Sequence, residues 1–324
     1  LGPGSPTGVC FGTGAKFPAK YQKAFYICDW TYGRLIAVHL APNGGTYGGS
    51  WENFVAPKSL KARSGKVPLN LTDVVIGADG SMYFTVGGRG TQANLFRVTY
   101  TGSESTAPVP PVTPTTAPSA TAHLHTLRRQ LEAFHGRQDP KAVETAWPHL
   151  SSEDRYIRAA ARTVLEHQPL AEWQAKALAE TNVTAQLEAL LSLTRATGVC
   201  PTHRAADHVV NAAMRDSILA ALLKHDFAKL TPEQRLAYVR LTEIVLHRFG
   251  NPDDATVAAI IAKLDPSFPA DNFELNWLLI ETLAHLQAPS VASKGMALIA
   301  AAESQEPQVE YARSMRFLRT GWTA

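Results

Sequence analysis

The chain has 324 residues, 45% hydrophobic and 18% charged, with a formal net charge of +3. That length and composition suit two or three folded domains and exclude a chain too polar to bury a core. So small a net charge gives no electrostatic footprint for nucleic acid or an anionic membrane surface.

The charge is unevenly spread. Residues 1–102 carry ten Lys or Arg against four Asp or Glu and sum to +6, which leaves −3 for the remainder. This asymmetry fits an ordinary solvated surface, and it also fits an electrostatic funnel for an anionic ligand. No run of about 18 apolar residues is present, so no membrane-spanning helix is expected, and the first residues lack the basic-then-apolar pattern of a secretory signal. Cys10, Cys28 and Cys200 are too few for a disulfide scaffold and have no metal-ligand spacing. Cys10 and Cys28 fall on neighbouring expected strands, either as buried free thiols or as a disulfide in an oxidising compartment.

In chain order, a Gly/Pro/Ser/Thr-rich start leads to a short strand at Val9-Cys10-Phe11, and Phe17–Tyr21 reads as a turn. Ala24–Trp30 is rich in aromatic and β-branched residues and predicts a strand. The loop Thr31-Tyr32-Gly33-Arg34 joins it to a strand at Leu35–Leu40, and an outer strand is expected at Trp51–Val55. Leu71–Tyr100 then predicts three strands, with a tight turn at Ala78-Asp79-Gly80 and a longer loop at Gly87–Gln92. Strand, Arg-bearing loop and strand recur in the same order in the two stretches, which is the signature of successive β-propeller blades. One four-stranded and one three-stranded blade cannot close a ring, so the other blades are expected upstream of Leu1.

Residues 103–121 contain five prolines among Ser, Thr and Ala and predict an extended linker. From residue 122 onward the pattern is helical. A basic lead-in helix is expected at Leu124–His135, followed by a helix from Asp139-Pro140 to Trp147 and one over Asp154–His167 capped by Ser151-Ser152-Glu153. Pairs follow at Leu170–Glu180 with Val183–Ala196, Ala205–Lys224 with Thr231–Phe249, Asp253–Leu264 with Asn272–Leu286, and Val291–Glu303 with Gln308–Leu318. Prolines stand at the joints. Helix pairs recurring every 30 to 45 residues or so match a HEAT-like solenoid. The expected architecture is multidomain β plus α: propeller blades over 1–102, linker over 103–121, solenoid over 122–324. The chain's last residues, Gly321–Ala324, carry no polar cap and suggest that the solenoid continues.

The run Cys28–Arg34, then Thr72-Asp73 to Gly80, then Tyr83–Gln92 resembles the closing propeller blades of membrane-bound dehydrogenase-like, or haem-binding, multidomain proteins of planctomycetes and verrucomicrobia. Their propeller is similar to that of glucose and sorbosone dehydrogenases. In the helical part, Glu144–Leu150, Asp154–Arg158 with Leu165–Pro169, and Leu318–Thr323 resemble the same proteins. The resemblance implies an exported, periplasmic or cell-surface protein whose complete propeller binds pyrroloquinoline quinone and Ca²⁺ with a sugar-type substrate, and which passes electrons to a cytochrome c module. Covalent haem attachment needs Cys-x-x-Cys-His. This chain has none, and Cys200-Pro201-Thr202-His203 lacks the second cysteine, so haem c would sit in a module outside this chain.

Within that frame Arg34 and Arg89 are the candidates for gripping a carboxylated cofactor, because a guanidinium pairs with a carboxylate through two hydrogen bonds. Asp29, Trp30, Thr91 and Gln92 stand beside them and could supply a carboxylate, a stacking surface and polar orientation. The competing reading is that both arginines tie loops to neighbouring blades, and that propeller and solenoid form a non-catalytic scaffold for a polysaccharide or protein partner. No catalytic residue can be named. His123, His125, His203 and His208 lack the spacing of a helical zinc site and are expected to face solvent. Asp154 and Arg158 are expected to pair at i, i+4. Trp147, Trp173, Trp277 and Trp322 are expected between repeats, and the sequons at Asn70 and Asn182 are read as coincidental.

Overall fold

The computed structural model describes residues 4–57, 69–110 and 122–323. It has a mixed β and α composition, with two small antiparallel sheets and twelve α-helices among the described residues. The chain divides into two compact units, Leu1–Leu127 and Arg128–Ala324.

In the first unit β1 (Pro6–Phe11), β2 (Phe25–Asp29), β3 (Arg34–Asn43) and β4 (Thr46–Val55) form a four-stranded sheet in sequence order. A short helix α1 (Ala19–Gln22) occupies the expected turn between β1 and β2. β5 (Leu71–Ile76), β6 (Met82–Gly88) and β7 (Thr91–Val98) form a three-stranded sheet, again in sequence order. The core between the sheets is apolar because Tyr26 and Cys28 from β2, Leu35 and Ala37 from β3, and Met82, Phe84 and Val86 from β6 alternate inward, joined by Leu71 and Val74 of β5, where a register shift follows Leu71. The two sheets meet most closely at β1 and β5. A Cβ on Gly8 would lie 2.8 Å from the Asp73 Cα, and the Thr7 hydroxyl donates to the Leu71 carbonyl at 2.7 Å. Any larger residue at position 8 would push these strands apart.

Cys10 and Cys28 are both free thiols. Cys10 stands opposite Tyr26 across β1 and β2, while Cys28 stands opposite Leu35 across β2 and β3. Burial pushes the thiols up, Cys10 to about 11 and Cys28 to about 12, with Asp73 adding to each, so both are protonated and inert at neutral pH.

Residues 103–110, the first part of the expected linker, hold no helix or strand, and the Gln22 side chain fastens them to the sheet unit. Gln22 is buried, its amide donates to the carbonyls of Thr106 at 3.3 Å and Ala107 at 2.9 Å, and its Oε1 accepts from the Val109 amide at 3.0 Å. Residues 111–121 lie outside the described residues. The lead-in helix α2 spans Ala122–Glu132. His125 within it is buried, its ring 4.6 Å from that of Tyr47, and does not face solvent as expected.

The second unit is a stack of helices in two layers. α4 (Arg155–Glu166), α6 (Val183–Thr197), α8 (Pro232–Phe249), α10 (Phe273–His285) and α12 (Gln305–Met315) pack side by side in that order. α5 (Gln174–Ala179), α7 (Ala212–Leu223), α9 (Asp254–Leu264) and α11 (Ser290–Ala301) cover them from a second layer, and α3 (Ala142–Ala146) precedes α4. Four helices of the first layer carry leucine or valine toward their neighbours, including Leu190, Leu193, Val245, Leu279 and Leu283, all fully buried, while α12 buries Tyr311 and Met315.

The helix starts follow the capping chemistry of the sequence. Asn182, Thr231, Asp253 and Asn272 each accept a backbone N–H of the first turn, and Thr231 with Gln234 completes a capping box. Other starts differ from expectation: α5 begins at Gln174 and not at Leu170, and α12 at Gln305 and not at Gln308. Asp154 itself caps α4, accepting from the Tyr156 and Ile157 amides at 2.8 and 3.2 Å. α7 begins only at Ala212, because Asn211 caps there and stops the helix expected from Ala205. Trp147 and Trp173 are buried as expected, whereas Trp322 is 50% exposed and its indole N–H donates to the Leu318 carbonyl. Both sequon asparagines have structural work: Asn182 caps α6, and Asn70 is buried beside Trp30.

Candidate functional site

The loop between β2 and β3 and the loop between β6 and β7 meet at one end of the sheet unit. Asp29 organises the first. Its Oδ1 accepts from the Tyr32 amide at 3.2 Å, closing an Asx turn, and its Oδ2 accepts from Arg34 Nε at 3.2 Å. Gly33 turns the chain at φ +65°, and a Cβ there would lie 2.8 Å from the Leu69 amide nitrogen. Only glycine satisfies both the left-handed backbone and that close approach.

Asn70 joins the two loops. Its side-chain amide donates to the Trp30 carbonyl at 2.9 Å, and its own carbonyl accepts from the Gly87 amide at 3.0 Å. Trp30 completes the bridge by donating its indole N–H to the Gly87 carbonyl at 2.9 Å. A buried asparagine satisfied in this way fixes the loops relative to each other, since breaking either bond would strand a polar group away from water.

The candidate residues then part company. Arg34 is held: its side chain is 15% exposed and ion-paired with Asp29, itself 8% exposed, while the guanidinium carbon lies 5.2 Å from the Tyr32 ring centre and 5.3 Å from that of Trp51. Such a pair has already replaced its water with protein partners. Asp29 and Arg34 therefore engage each other within the loop. Arg89 is exposed, stands at φ +49°, and places its guanidinium carbon 5.0 Å from the Trp30 ring centre. A left-handed conformation costs a non-glycine residue about 1 kcal/mol, and the arginine–indole stack offsets part of it. Gln92 is exposed at the start of β7. Thr91 begins β7, and its side chain lies outside the described residues.

The structure thus brings Trp30 and Arg89 together and pairs Arg34 with Asp29. Asn70 and Tyr32 complete the cluster. Asn70 was legible only as half of a sequon, because its partners are 40 residues upstream and 17 downstream. Chemically, the platform offers one exposed cation on a half-buried indole, which suits a planar or sugar-type ligand bearing an anionic group. Among the described residues no three His, Cys, Asp or Glu side chains gather as a metal site. Comparison with protein-family models, with curated proteins and with solved structures finds no match to this chain.

Proposed function

We propose that the chain is the propeller-end and helical-repeat portion of an exported protein similar to the membrane-bound dehydrogenase-like group, and that its own part is binding rather than catalysis. In this reading the two sheets are successive propeller blades with β1 and β5 as inner strands, and the helical stack is a HEAT-like solenoid. The close approach of β1 to β5, the strand order in each sheet and the two-layer helix order support it. The observation that carries the binding reading is the exposed Arg89 guanidinium on the Trp30 ring, on loops fixed by Asn70.

The platform fits a carboxylated ligand through Arg89 alone. An acidic sugar or polysaccharide, stacking on the indole and pairing with the guanidinium, matches that pair of groups. A quinone cofactor bearing carboxylates would engage the same arginine, and redox chemistry would then depend on blades and a cytochrome c module beyond this chain. The fixed state of Arg34 favours the scaffold side of this choice, because a cofactor clamp would need a second free cation.

Titration calorimetry of the chain with a uronic-acid oligosaccharide, its neutral counterpart and pyrroloquinoline quinone tests the proposal. The acidic oligosaccharide binds, Arg89→Ala weakens it about tenfold, as loss of one charge-assisted contact should, and Arg34→Lys leaves the affinity within about twofold. Equal affinity of the wild type and Arg89→Ala, or no binding of any of the three, would sink it. Aldose-dependent dye reduction by the chain with the quinone and Ca²⁺ would overturn the non-catalytic role.

A further inference from the structure

The helical unit carries a second cluster that the loop platform leaves unused. After α6 the chain turns through Gly198–Arg204, and Cys200 stands just ahead of the 3-10 turn Pro201–His203. Its Sγ lies 3.2 Å from the Thr202 hydroxyl and 3.6 Å from Nε2 of His247, in the last turn of α8. The turn is held rigidly. Arg248 donates to the carbonyls of Arg195 and Gly198, and Arg204 donates to those of Val199 at 3.2 Å and Arg248 at 2.7 Å. A Cβ on Gly198 would lie 2.8 Å from the Phe249 ring, so the turn and the end of α8 are in close contact. His247 also lines an open cavity of about 370 Å³ together with Arg240, Glu243, Glu281, Thr282 and His285.

We propose that Cys200 and His247 form a thiolate–imidazolium pair and that Cys200 is a modification site at which hydrogen peroxide oxidises the sulfur to a sulfenic acid. The C-terminal end of a helix carries partial negative charge and favours a cation, and His247 stands in the last turn of α8. The Thr202 hydroxyl and then the imidazole hold the thiol down to about 6, whereas burial holds Cys10 and Cys28 far up. The charges around the pair come from three sides. Arg240, Glu243 and Arg248 stand on α8, Glu281 and His285 on α10, and His203 and Arg204 on the turn itself. His285 is lowered by burial and then by His247.

In the reaction the thiolate attacks one peroxide oxygen, the S–O bond forms as the O–O bond breaks, and the sulfur gives up two electrons. The leaving hydroxide takes the imidazolium proton from His247 and departs as water. The net change is thiol plus hydrogen peroxide to sulfenic acid plus water.

The three cysteines of the full chain supply their own controls. Peptide mass spectrometry after limiting iodoacetamide, from pH 5 to pH 9, should place the Cys200 midpoint near pH 6, with Cys10 and Cys28 unreactive throughout. His247→Gln should move the Cys200 midpoint toward 8.5 and slow alkylation at pH 6 about tenfold, the gain in thiolate fraction being partly offset by lower intrinsic nucleophilicity. After peroxide, dimedone should tag Cys200. An ordinary midpoint above pH 8 in the wild type, an unchanged rate in folded His247→Gln, or no dimedone adduct on Cys200 would each overturn the proposal. The wild-type profile decides even where the variant does not fold.

Discussion

Replacing Arg158 by leucine lowers the stability of the helical unit by about 3 kcal/mol, the largest loss expected from any one charged side chain here. Arg158 lies on α4, and its side chain is only 9% exposed. One nitrogen donates to the carbonyls of Ser152 at 2.8 Å and Glu153 at 3.2 Å, closing the chain end that precedes α4. Nε reaches Glu188 on α6 at 3.3 Å, and the remaining nitrogen bonds Glu233 at the start of α8. One guanidinium therefore spans three consecutive helices of the same layer.

Leucine would fill much of the volume, so the cost lies in the groups left behind. Two carbonyls lose a donor, at roughly 1 kcal/mol each. Glu188 keeps Arg162 at 2.8 Å, and the largely exposed Glu233 returns to water, which limits the total. For a unit of this size about 3 kcal/mol corresponds to a fall in Tm on the order of 10 °C. Hydrogen exchange should show the amides of α4 and α6 opening together. Arg158→Lys, which keeps charge without the planar fork, should recover less than half of the loss. A leucine variant within about 1 kcal/mol of the wild type would show that these bonds are dispensable.

Arg158 also shows where the sequence stops being legible. Spacing alone pairs it with Asp154 at i, i+4, yet the Asp154 carboxylate accepts from the Tyr156 and Ile157 amides, and the arginine reaches glutamates 30 and 75 residues away. Local chemistry was readable: aromatic and β-branched runs between turn residues placed β2, β3, β5 and β6, and capping residues at Asn182, Thr231, Asp253 and Asn272 placed four helix starts within a residue or two. Ala205–Val210 misled because apolar content without a cap resembles a helix, and Asn211 supplies the real start. Tertiary partners were not readable at all. Cys200 and His247 are 47 residues apart and Trp30 and Gly87 are 57 apart. Nothing in the spacing of Arg34 separates it from Arg89, although one is bound to Asp29 and the other stands on Trp30.

Glu243→Gln stabilises the helical unit above neutral pH and changes it little in acid. Glu243 lies on α8 with its side chain 13% exposed, and Oε2 accepts from Arg240 at 2.8 Å while Oε1 accepts from the Thr282 hydroxyl at 3.1 Å. Burial outweighs these partners and raises the carboxyl to about 7, with Glu281 adding to the rise. The folded protein therefore holds its proton more tightly than the unfolded chain, whose glutamate titrates near 4.5. Stability from the neutral form is fully present below about pH 4.5 and is lost as pH rises through about 7. Glutamine keeps the neutral shape at every pH. Its advantage should be near zero at pH 4 and grow to about 3 kcal/mol at pH 8, an upper value set by the size of the shift. Urea unfolding of both proteins from pH 4 to pH 8 reads this directly as a widening gap in midpoint. Parallel curves across that range would mean that the Glu243 carboxyl ionises as an exposed one does, and that Arg240 and Thr282 compensate its burial in full.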